Sequence, residues 1–217
     1  MKSKAVKSKA AKSKTDIKAV VFDYGGVIAF FQDNKSMEDM AKLAGIDPVL
    51  MKRIYWENRS SYDRGLVNGC EFFKNILSGI GIFPDSDLLQ LLVSCDIKSW
   101  SHVNPKTEEL ILELKNSGIK LAVLSNLIKE FLEQVIETLP VFKHFDVLVF
   151  SCEVNVVKPE EEIYRILLSQ LGCKADEVLF FDDLEANVKA ANDLGIQAFL
   201  WNNAEEARKK LEELCLL

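Results

Sequence analysis

Five short apolar runs, separated over most of the chain by helix-like patterns, constrain the fold of this sequence more than any other feature. The runs are rich in β-branched and aromatic residues, which is typical of buried strands. They are KAVVF (18–22), IKLAVL (119–124), DVLVF (146–150), EVLFF (177–181) and IQAFL (196–200). Amphipathic segments between and after the later runs predict helices over residues 107–118, 128–139, 159–172, 186–195 and 204–215. This alternation predicts an α/β fold with a Rossmann-like, doubly wound parallel sheet and helices on both faces.

One long segment interrupts the alternation. Residues 32–104 contain no strand-like run, but four stretches show helical spacing of their apolar residues. These stretches are SMEDMAKLAGI, PVLMKRIYWENR, CEFFKNILSGI and SDLLQLLVSC. We therefore predict an α/β core over residues 17–31 and 105–217, with an inserted α-helical cap over residues 32–104. Such an insertion after the first strand lies above the carboxyl ends of the strands, where open α/β sheets bind ligands.

The charge distribution excludes some classes of partner. The formal net charge is −6, which argues against general nucleic-acid binding because that requires a basic face. Residues 1–14 contain six lysines and no acid, and they lack apolar periodicity, so residues 1–16 are predicted to form a disordered basic leader. No apolar stretch approaches the roughly 18 residues that a membrane span needs, and none is predicted.

The cysteines indicate a reducing environment. There are five of them, an odd number at wide spacings without a CxxC pair, so neither a disulfide framework nor a zinc site is indicated. Reduced cysteines are typical of cytosolic proteins, and we expect a cytoplasmic location.

Polar and charged residues follow four of the predicted strands. They are Asp23 after the first, Ser125 and Asn126 after the second, Lys158 beyond the third, and Asp182 and Asp183 after the fourth. Because the carboxyl ends of parallel strands share one edge of the sheet, these side chains are expected to converge. A set of this kind suits phosphoryl transfer through an aspartyl intermediate. One carboxylate attacks phosphorus, others hold Mg²⁺, and the remaining donors bind the phosphoryl oxygens.

The chain after the leader resembles the haloacid dehalogenase superfamily. The resemblance rests on four motifs in the order of that family: FDYGGVI with Asp23, LSN with Ser125, VVKPEEEIY with Lys158, and FFDDLEAN with Asp182 and Asp183. The helical insertion matches the cap of one large subclass. The resemblance implies that Asp23 is the nucleophile, and that Ser125, Asn126 and Lys158 hold the phosphoryl group. It also implies that Mg²⁺ is the cofactor, with Asp23, the Gly25 carbonyl and Asp183 as ligands and Asp182 in support.

The sequence departs from the family pattern at Gly25. In most phosphatases of the superfamily a second aspartate stands there and acts as general acid and then base, help that is typically worth a factor of about 10² to 10⁴. This chain resembles a branch with the form FDxGxV, which includes sugar-phosphate phosphatases and relatives of the phosphatase domain of soluble epoxide hydrolase. Water, the substrate's own phosphate or a cap residue such as Asp63 could replace the acid, and the sequence does not choose between them. If an aspartate fits at this position, Gly25→Asp is expected to leave or raise activity.

Several other residues are candidates for contacts in the site. Arg64 is predicted to pair with a second anionic group on the substrate, and Tyr62 and Asp63 could also face it. Asn187 could orient the metal ligands or lie on the surface of its helix. Trp56 and the pair Phe72 and Phe73 are interpreted as part of the cap core instead. The assignments in the cap depend on how it closes over the sheet.

These observations predict a Mg²⁺-dependent phosphatase that hydrolyses a small phosphorylated metabolite, such as a sugar phosphate, through an aspartyl phosphate. One alternative is a metal-independent 2-haloacid dehalogenase, which also lacks the second aspartate. A dehalogenase attacks carbon and uses no metal, so no cation would offset the repulsion between the adjacent acids Asp182 and Asp183. The other alternative is a non-catalytic protein that binds a phosphorylated ligand, suggested by Gly25 and the basic leader.

Overall fold

A computed structural model describes residues 16–32 and 34–217 of the chain. The leader predicted for residues 1–16 therefore lies outside the described residues except for Asp16. Five parallel strands form one sheet in the order β3-β2-β1-β4-β5, as the sequence predicts. The strands are β1 (Ala19–Phe22), β2 (Lys120–Ser125), β3 (Val147–Phe150), β4 (Val178–Asp182) and β5 (Gln197–Leu200).

The central strand β1 is buried on both faces. Val20 and Phe22 join the larger apolar cluster, which also contains the cap core, whereas Ala19 and Val21 point into a second cluster on the opposite face. Side chains alternate between the faces of a strand, and helices cover both sides of this sheet, so all four residues are apolar. Chain order reverses at β1, which pairs with β2 on one side and with β4 on the other. The carboxyl ends of β1 and β4 therefore meet at the position where doubly wound sheets bind ligands.

The described residues form eleven α-helices. Five lie in the insertion: α1 (Asn34–Ala44), α2 (Pro48–Glu57), α3 (Arg59–Asp63), α4 (Gly69–Ser78) and α5 (Ser86–Ser99). Six follow it: α6 (Pro105–Ser117), α7 (Lys129–Gln134), α8 (Ser151–Val154), α9 (Glu161–Leu171), α10 (Glu185–Asp193) and α11 (Ala204–Glu213). Side-chain caps mark several helix starts, among them Asp47, Asn68 and Asp85 in the insertion.

The two chain segments that enter and leave the insertion run side by side. Ala29 forms an antiparallel bridge with Val103, and the Asn104 amide donates to the Ile28 carbonyl at 2.8 Å. The insertion is thus tied to the core at one end by paired backbone. The division into core and cap near residues 32 and 104 fits this arrangement and stays a prediction.

The helix predicted over residues 128–139 is broken in the structure. Helix α7 stops at Gln134, and a short 3₁₀ turn follows over Ile136–Thr138. Leu139 is extended (φ −97°, ψ 107°) because it precedes Pro140, whose ring disfavours a helical residue before it. A β-branched run at Val135 and Ile136 adds to the break. The segment predicted as one helix over residues 48–59 also divides at Asn58.

A search of the described residues finds no helix with the length and apolar character of a membrane span.

Candidate active site

The carboxyl ends of β1 and β4 place three carboxylates together. Asp23 directly follows β1, and its backbone amide donates to the Phe181 carbonyl of β4 at 2.9 Å, so that the register of the two strands fixes its position. Asp182 ends β4, and Asp183 follows it. One oxygen from each of these aspartates lies within 4.8 Å of the others.

Lys158 lies between two of these carboxylates. Its ammonium is 2.8 Å from Asp23 Oδ1 and 2.6 Å from Asp182 Oδ2, and its side chain is almost completely buried. Burial disfavours the ammonium, but the charges of Asp182 and Asp23 outweigh this effect and raise the pKa of Lys158. Lys158 therefore stays protonated and leaves the three carboxylates with a net charge of about −2 when all are ionised.

Asp182 binds three different groups of the site. Besides Lys158, it accepts hydrogen bonds at Oδ1 from the Leu184 amide and from Asn187 Nδ2, both at 2.9 Å. It is fully buried. The sequence predicts Asp182 as a supporting metal ligand, and the structure adds that its oxygens already bind these three donors. Of the two roles open to Asn187, the structure supports the orienting one, since its amide holds the Asp182 carboxylate.

Gly26 is a site residue that the sequence prediction missed. Its φ of +78° is in the left-handed region, and a Cβ at this position would lie 2.5 Å from Asp183 Oδ2. Any side chain here would displace the Asp183 carboxylate. The second glycine of the GG pair is the sequence signal that could have identified it.

The three carboxylates differ in their access to a cavity above the sheet. Asp23 and Asp183 line it together with Ser125, Asn126 and Lys158, whereas the buried Asp182 does not. The cavity has a volume of about 120 Å³. All residues of the α/β core that were predicted to bind the phosphoryl group therefore line the same cavity.

Burial and mutual repulsion perturb the carboxylates that face the cavity. Burial, with the charges of Asp182 and Asp183 added, raises the pKa of Asp23 to about 7, although Lys158 acts in the opposite direction. Burial and the neighbouring Asp182 raise the pKa of Asp183 to about 6. A site in which carboxylates resist ionisation is one that a nearby cation stabilises. The donors are all carboxylate oxygens, which fits a hard divalent ion such as Mg²⁺.

Asn126 positions Lys158. Its Nδ2 donates to the Lys158 carbonyl at 3.0 Å, and its Oδ1 accepts from the Lys158 amide at 2.8 Å. The Asn126 amide thus binds the backbone on either side of the lysine side chain. Its role as a phosphoryl donor stays a prediction, as does that of Ser125, the last residue of β2.

The space beside Gly25 is filled by an aromatic ring from the cap. A Cβ built at Gly25 would lie 2.9 Å from Cζ3 of Trp100, and carbon atoms prefer about 3.5–4.0 Å. Trp100 is held by its own contacts, since its carbonyl accepts a 2.7 Å hydrogen bond from the Tyr24 hydroxyl. The indole therefore occupies the volume that a side chain at position 25 would need. Gly25 lines the cavity, and its role as a carbonyl ligand of the metal stays a prediction.

Of the three cap residues that the sequence suggests for the site, Asp63 lines the cavity, whereas Arg64 and Tyr62 do not. Arg64 pairs with Glu160, through two nitrogens, and is absent from the cavity lining. Tyr62 is buried and stacks on Phe72 within the cap. Phe72 and Phe73 are buried as the sequence predicts, but Trp56 lines the cavity and is not simply a core residue.

Asp63 faces the cavity as part of an ion pair with Arg59, a residue of α3 that the sequence prediction missed. Arg59 Nε donates to Asp63 Oδ1 at 2.7 Å, and both side chains line the cavity. Burial raises the pKa of Asp63 even though Arg59 opposes the shift. The i, i+4 spacing of the pair in a helical segment could have indicated it, although not that it faces the sheet.

The arrangement matches a known family over most of the chain. The family model for haloacid dehalogenase-like hydrolases matches residues 17–195. The chain belongs to this family of hydrolases, and the resemblance inferred from the four motifs is confirmed. Its placement in the FDxGxV branch stays a prediction.

Curated relatives share parts of the chain to different extents. Bifunctional epoxide hydrolase 2 of Mus musculus is 43% identical over 72 residues, which is 33% of this chain and only 13% of that protein. A phosphatase of Mycobacterium tuberculosis is 25% identical over 198 residues, covering 88% of this chain and 90% of its own length. A phosphorylated carbohydrates phosphatase of Thermotoga maritima is 33% identical over 94 residues, 43% of this chain and 44% of that protein.

Solved structures confirm the fold. A HAD-like family hydrolase from Porphyromonas gingivalis superposes with a TM-score of 0.72 at 22% identity, covering 91% of this chain and 98% of that one. A HAD family enzyme from Bacteroides thetaiotaomicron, solved in complex with magnesium and inorganic phosphate, gives a TM-score of 0.69 at 22% identity, with coverage of 86% and 94%.

Proposed function

We propose that this chain is a Mg²⁺-dependent phosphatase that hydrolyses a small phosphorylated metabolite through an aspartyl phosphate on Asp23. One observation carries the proposal: two carboxylates and a single ammonium line a cavity, and a third, buried carboxylate lies directly beside them. This excess of negative charge favours a cation, and the cation in turn allows a phosphate dianion to approach a carboxylate. The names of the relatives from M. tuberculosis and T. maritima support the same reaction.

Each residue of the site has a distinct task in this scheme. Asp23 attacks phosphorus, the bond from phosphorus to the ester oxygen breaks, and its electron pair goes to the departing alcohol. Lys158 and Ser125 hold the phosphoryl oxygens while charge moves onto them. Asp23 and Asp183 would hold Mg²⁺, which neutralises charge on the phosphoryl oxygens when it is bound. Water then attacks phosphorus, the bond from phosphorus to the Asp23 oxygen breaks, and inorganic phosphate leaves as the Asp23 carboxylate is restored. The proton that water gives up returns to the group that protonated the alcohol.

Asp63 is the cap residue that fits the task of the missing acid. The cavity lining of the described residues contains no histidine, and Asp63 is its only carboxyl group outside the β1 and β4 ends. Burial raises the pKa of this carboxyl group, so that it holds a proton more readily than an exposed aspartate. We propose that Asp63 protonates the departing alcohol. The Asp63→Asn protein should then lose more activity on alkyl phosphates than on p-nitrophenyl phosphate, whose leaving group needs no proton.

The experiment is phosphate release from p-nitrophenyl phosphate with Mg²⁺, compared with EDTA. We expect release that requires Mg²⁺ and that falls by at least about 10³-fold in Asp23→Asn, because this variant lacks the nucleophile. Asp39→Asn is the matched control, since Asp39 is an exposed aspartate of α1, and it should retain full activity. Release that persists both in EDTA and in Asp23→Asn would refute the scheme.

The two alternatives predict different results from the same protein. A dehalogenase would release halide from 2-haloacids in EDTA. A non-catalytic phosphate-binding protein would show a higher melting temperature with Mg²⁺ and a phosphate analogue while turning over no substrate. The absence of an acid at Gly25 is compatible with either, but neither requires three clustered carboxylates beside a lysine.

A further inference from the structure

The cap wall of the cavity is aromatic. Phe31, Trp56 and Trp100 line it together. The rings of Phe31 and Trp56 are stacked, with centroids 5.7 Å apart and planes at 16°, and Trp100 meets both edge-on at 5.7 and 6.3 Å. Trp100 also covers Gly25, so the aromatic surface begins beside the nucleophile and continues outward.

The outer part of this wall is exposed although it is apolar. Phe31 is 49% exposed, Trp56 is 37% exposed, and Leu184, the residue before α10, is 53% exposed. All three line the same cavity as Asp23. Large apolar side chains grouped at the mouth of a cavity mark a binding surface more often than a random surface feature.

The charges at this end of the cavity are already balanced. Arg59 and Asp63 bind each other, and the guanidinium is also within 4.8 to 5.8 Å of four aromatic rings of the cap. Arg59 Nη1 is buried without a hydrogen-bond partner among the described residues and lies 3.6 Å from Asp96 Oδ2, close enough for an ion pair. The buried Asp96 carboxylate balances the guanidinium even when Asp63 carries the proton that its proposed role requires, which leaves no net positive charge for a second anionic group.

The side-chain amides of the cavity are engaged as well. Both polar atoms of the Asn126 amide bind the Lys158 backbone, and the Asn187 amide nitrogen donates to Asp182. A ligand rich in hydroxyl groups would lose its hydrogen bonds to water and find few replacements here. That loss costs free energy for each unpaired hydroxyl.

We propose that the substrate of this site is a phosphomonoester whose organic part is a flat apolar group, aromatic or conjugated, that packs against Phe31 and Trp56. The proposal rests on the proposed phosphatase function and specifies its substrate class. The phosphate lies among Asp23, Lys158 and Ser125, and the organic part extends along the aromatic wall toward Leu184. This class differs from the sugar phosphates that the sequence suggests.

The test compares three esters of primary alcohols, so that the reactivity of the departing alcohol is similar in each. They are benzyl phosphate, which is flat and apolar, cyclohexylmethyl phosphate, which is apolar but not flat, and glucose 6-phosphate. We expect kcat/KM to fall in that order, with benzyl phosphate at least ~10-fold above glucose 6-phosphate, given the strength of aromatic contacts. Equal or better turnover of glucose 6-phosphate would overturn the proposal. So would equal turnover of the two apolar esters, because the flat shape would then not matter.

Substitutions test whether the aromatic residues of the cap cause the substrate preference. Trp56→Ala should reduce the ratio of benzyl phosphate to glucose 6-phosphate turnover at least ~5-fold, chiefly through KM, since it removes a stacking surface. Phe83→Ala is the matched control: Phe83 is a large, 83% exposed aromatic residue outside the cavity lining, and the ratio should not change. A ratio that is unaffected by Trp56→Ala would contradict the assignment.

A binding experiment distinguishes a failure of this inference from a failure of the proposed function. The Asp23→Asn protein, titrated calorimetrically with each ester in the presence of Mg²⁺, should bind benzyl phosphate at least ~10-fold more tightly than glucose 6-phosphate. Equal dissociation constants would overturn the substrate class even if the wild-type protein releases phosphate from p-nitrophenyl phosphate. No release from that ester would overturn the phosphatase function, whatever the binding preference.

Discussion

Gly25 and Trp100 should be energetically coupled, because they compete for the same volume. A Cβ at position 25 would approach Trp100 Cζ3 to 2.9 Å, about 0.6 Å inside the shortest favourable carbon contact. Gly25 does not have a positive φ, so an alanine here causes no backbone strain. The clash with the indole is therefore the largest effect of Gly25→Ala on stability.

Trp100 has little freedom to move away. It is 6% exposed, its Nε1 lies 3.3 Å from Asp96 Oδ1, and its ring contacts Phe31 and Trp56. Overpacking of this kind typically costs about 1–3 kcal/mol. The smaller unfolded-state entropy of alanine offsets about 0.4–1 kcal/mol of that cost. We expect Gly25→Ala to lower the free energy of unfolding by about 0.5–2 kcal/mol.

A double-mutant cycle with Trp100→Phe isolates the clash. The smaller ring removes the atom nearest to position 25, so Gly25→Ala in the Trp100→Phe background should be neutral or slightly stabilising. The coupling free energy should then be about 1–3 kcal/mol. Urea unfolding followed by far-UV circular dichroism measures it without depending on tryptophan fluorescence.

The control is a glycine with room for a side chain. At Gly79 the nearest atom to a built Cβ is the Asn75 carbonyl oxygen at 3.4 Å, and Trp100 is not among its neighbours. Gly79→Ala and Trp100→Phe should therefore be additive. If Gly25→Ala and Trp100→Phe are also additive within about 0.5 kcal/mol, the indole does not occupy the space beside Gly25 and the reasoning is refuted.

The same clash changes the expectation for Gly25→Asp. The sequence predicts that this substitution leaves or raises activity if the side chain fits, and the structure shows the space already filled by the Trp100 ring. We now expect Gly25→Asp alone to lower kcat, and Gly25→Asp with Trp100→Phe to exceed it by at least ~10-fold, since a well-placed acid contributes about 10²–10⁴-fold. Equal kcat values for the single and double variants would contradict this.

Three further predictions concern the charges of the site and the cap. Lys158→Met leaves Asp182 buried without its cation and should cost about 3–5 kcal/mol in urea unfolding at neutral pH; an unchanged midpoint would contradict the pairing. Mg²⁺ at 100 times its dissociation constant should stabilise the wild type by about 2.7 kcal/mol in thermal unfolding but not Asp183→Asn, and equal shifts would exclude Asp183 as a ligand. Burial raises the pKa of Asp96 to about 6, above its unfolded value of about 3.9. Protonation of Asp96 therefore stabilises the folded protein, and this contribution is complete below about pH 4. It is lost as the pH rises through 6, and its total size is about 3 kcal/mol of unfolding free energy. The difference in unfolding free energy between wild type and Asp96→Asn should follow that window, and a difference that does not vary from about pH 4 to 7 would contradict the raised pKa.

The sheet and the polar residues at its edge were predictable because the signal is local. Each strand is a short apolar run, and parallel connection places all carboxyl ends at one edge. Asp23 and Asp183 could therefore be assigned to one site although 160 positions separate them. The same reasoning could not distinguish Asp182 from Asp183, because which of two adjacent acids turns toward Lys158 depends on the side-chain geometry at the end of β4.

The cap wall could not be predicted, because it depends on how helices distant in sequence pack. Trp56 and Trp100 belong to the ends of α2 and α5. Nothing near either residue indicates that their rings meet or that the Trp100 ring covers Gly25. An amphipathic pattern identifies the buried side of a helix, but not whether a residue at its border faces the core or a cavity. For the same reason the sequence favours Arg64 over Arg59, five positions earlier, although Arg59 is the one that lines the cavity.

The missing acid and the aromatic wall are consequences of the same packing arrangement. Any side chain at position 25 displaces the Trp100 ring, and a displaced ring loses its edge contacts with Phe31 and Trp56. A protein of this fold can therefore place an acid beside the nucleophile or an indole over it, but not both with this backbone. Since the indole is present here, position 25 supplies no acid, and Asp63, the carboxyl group of the cap that lines the cavity, is the residue for which we propose proton transfer.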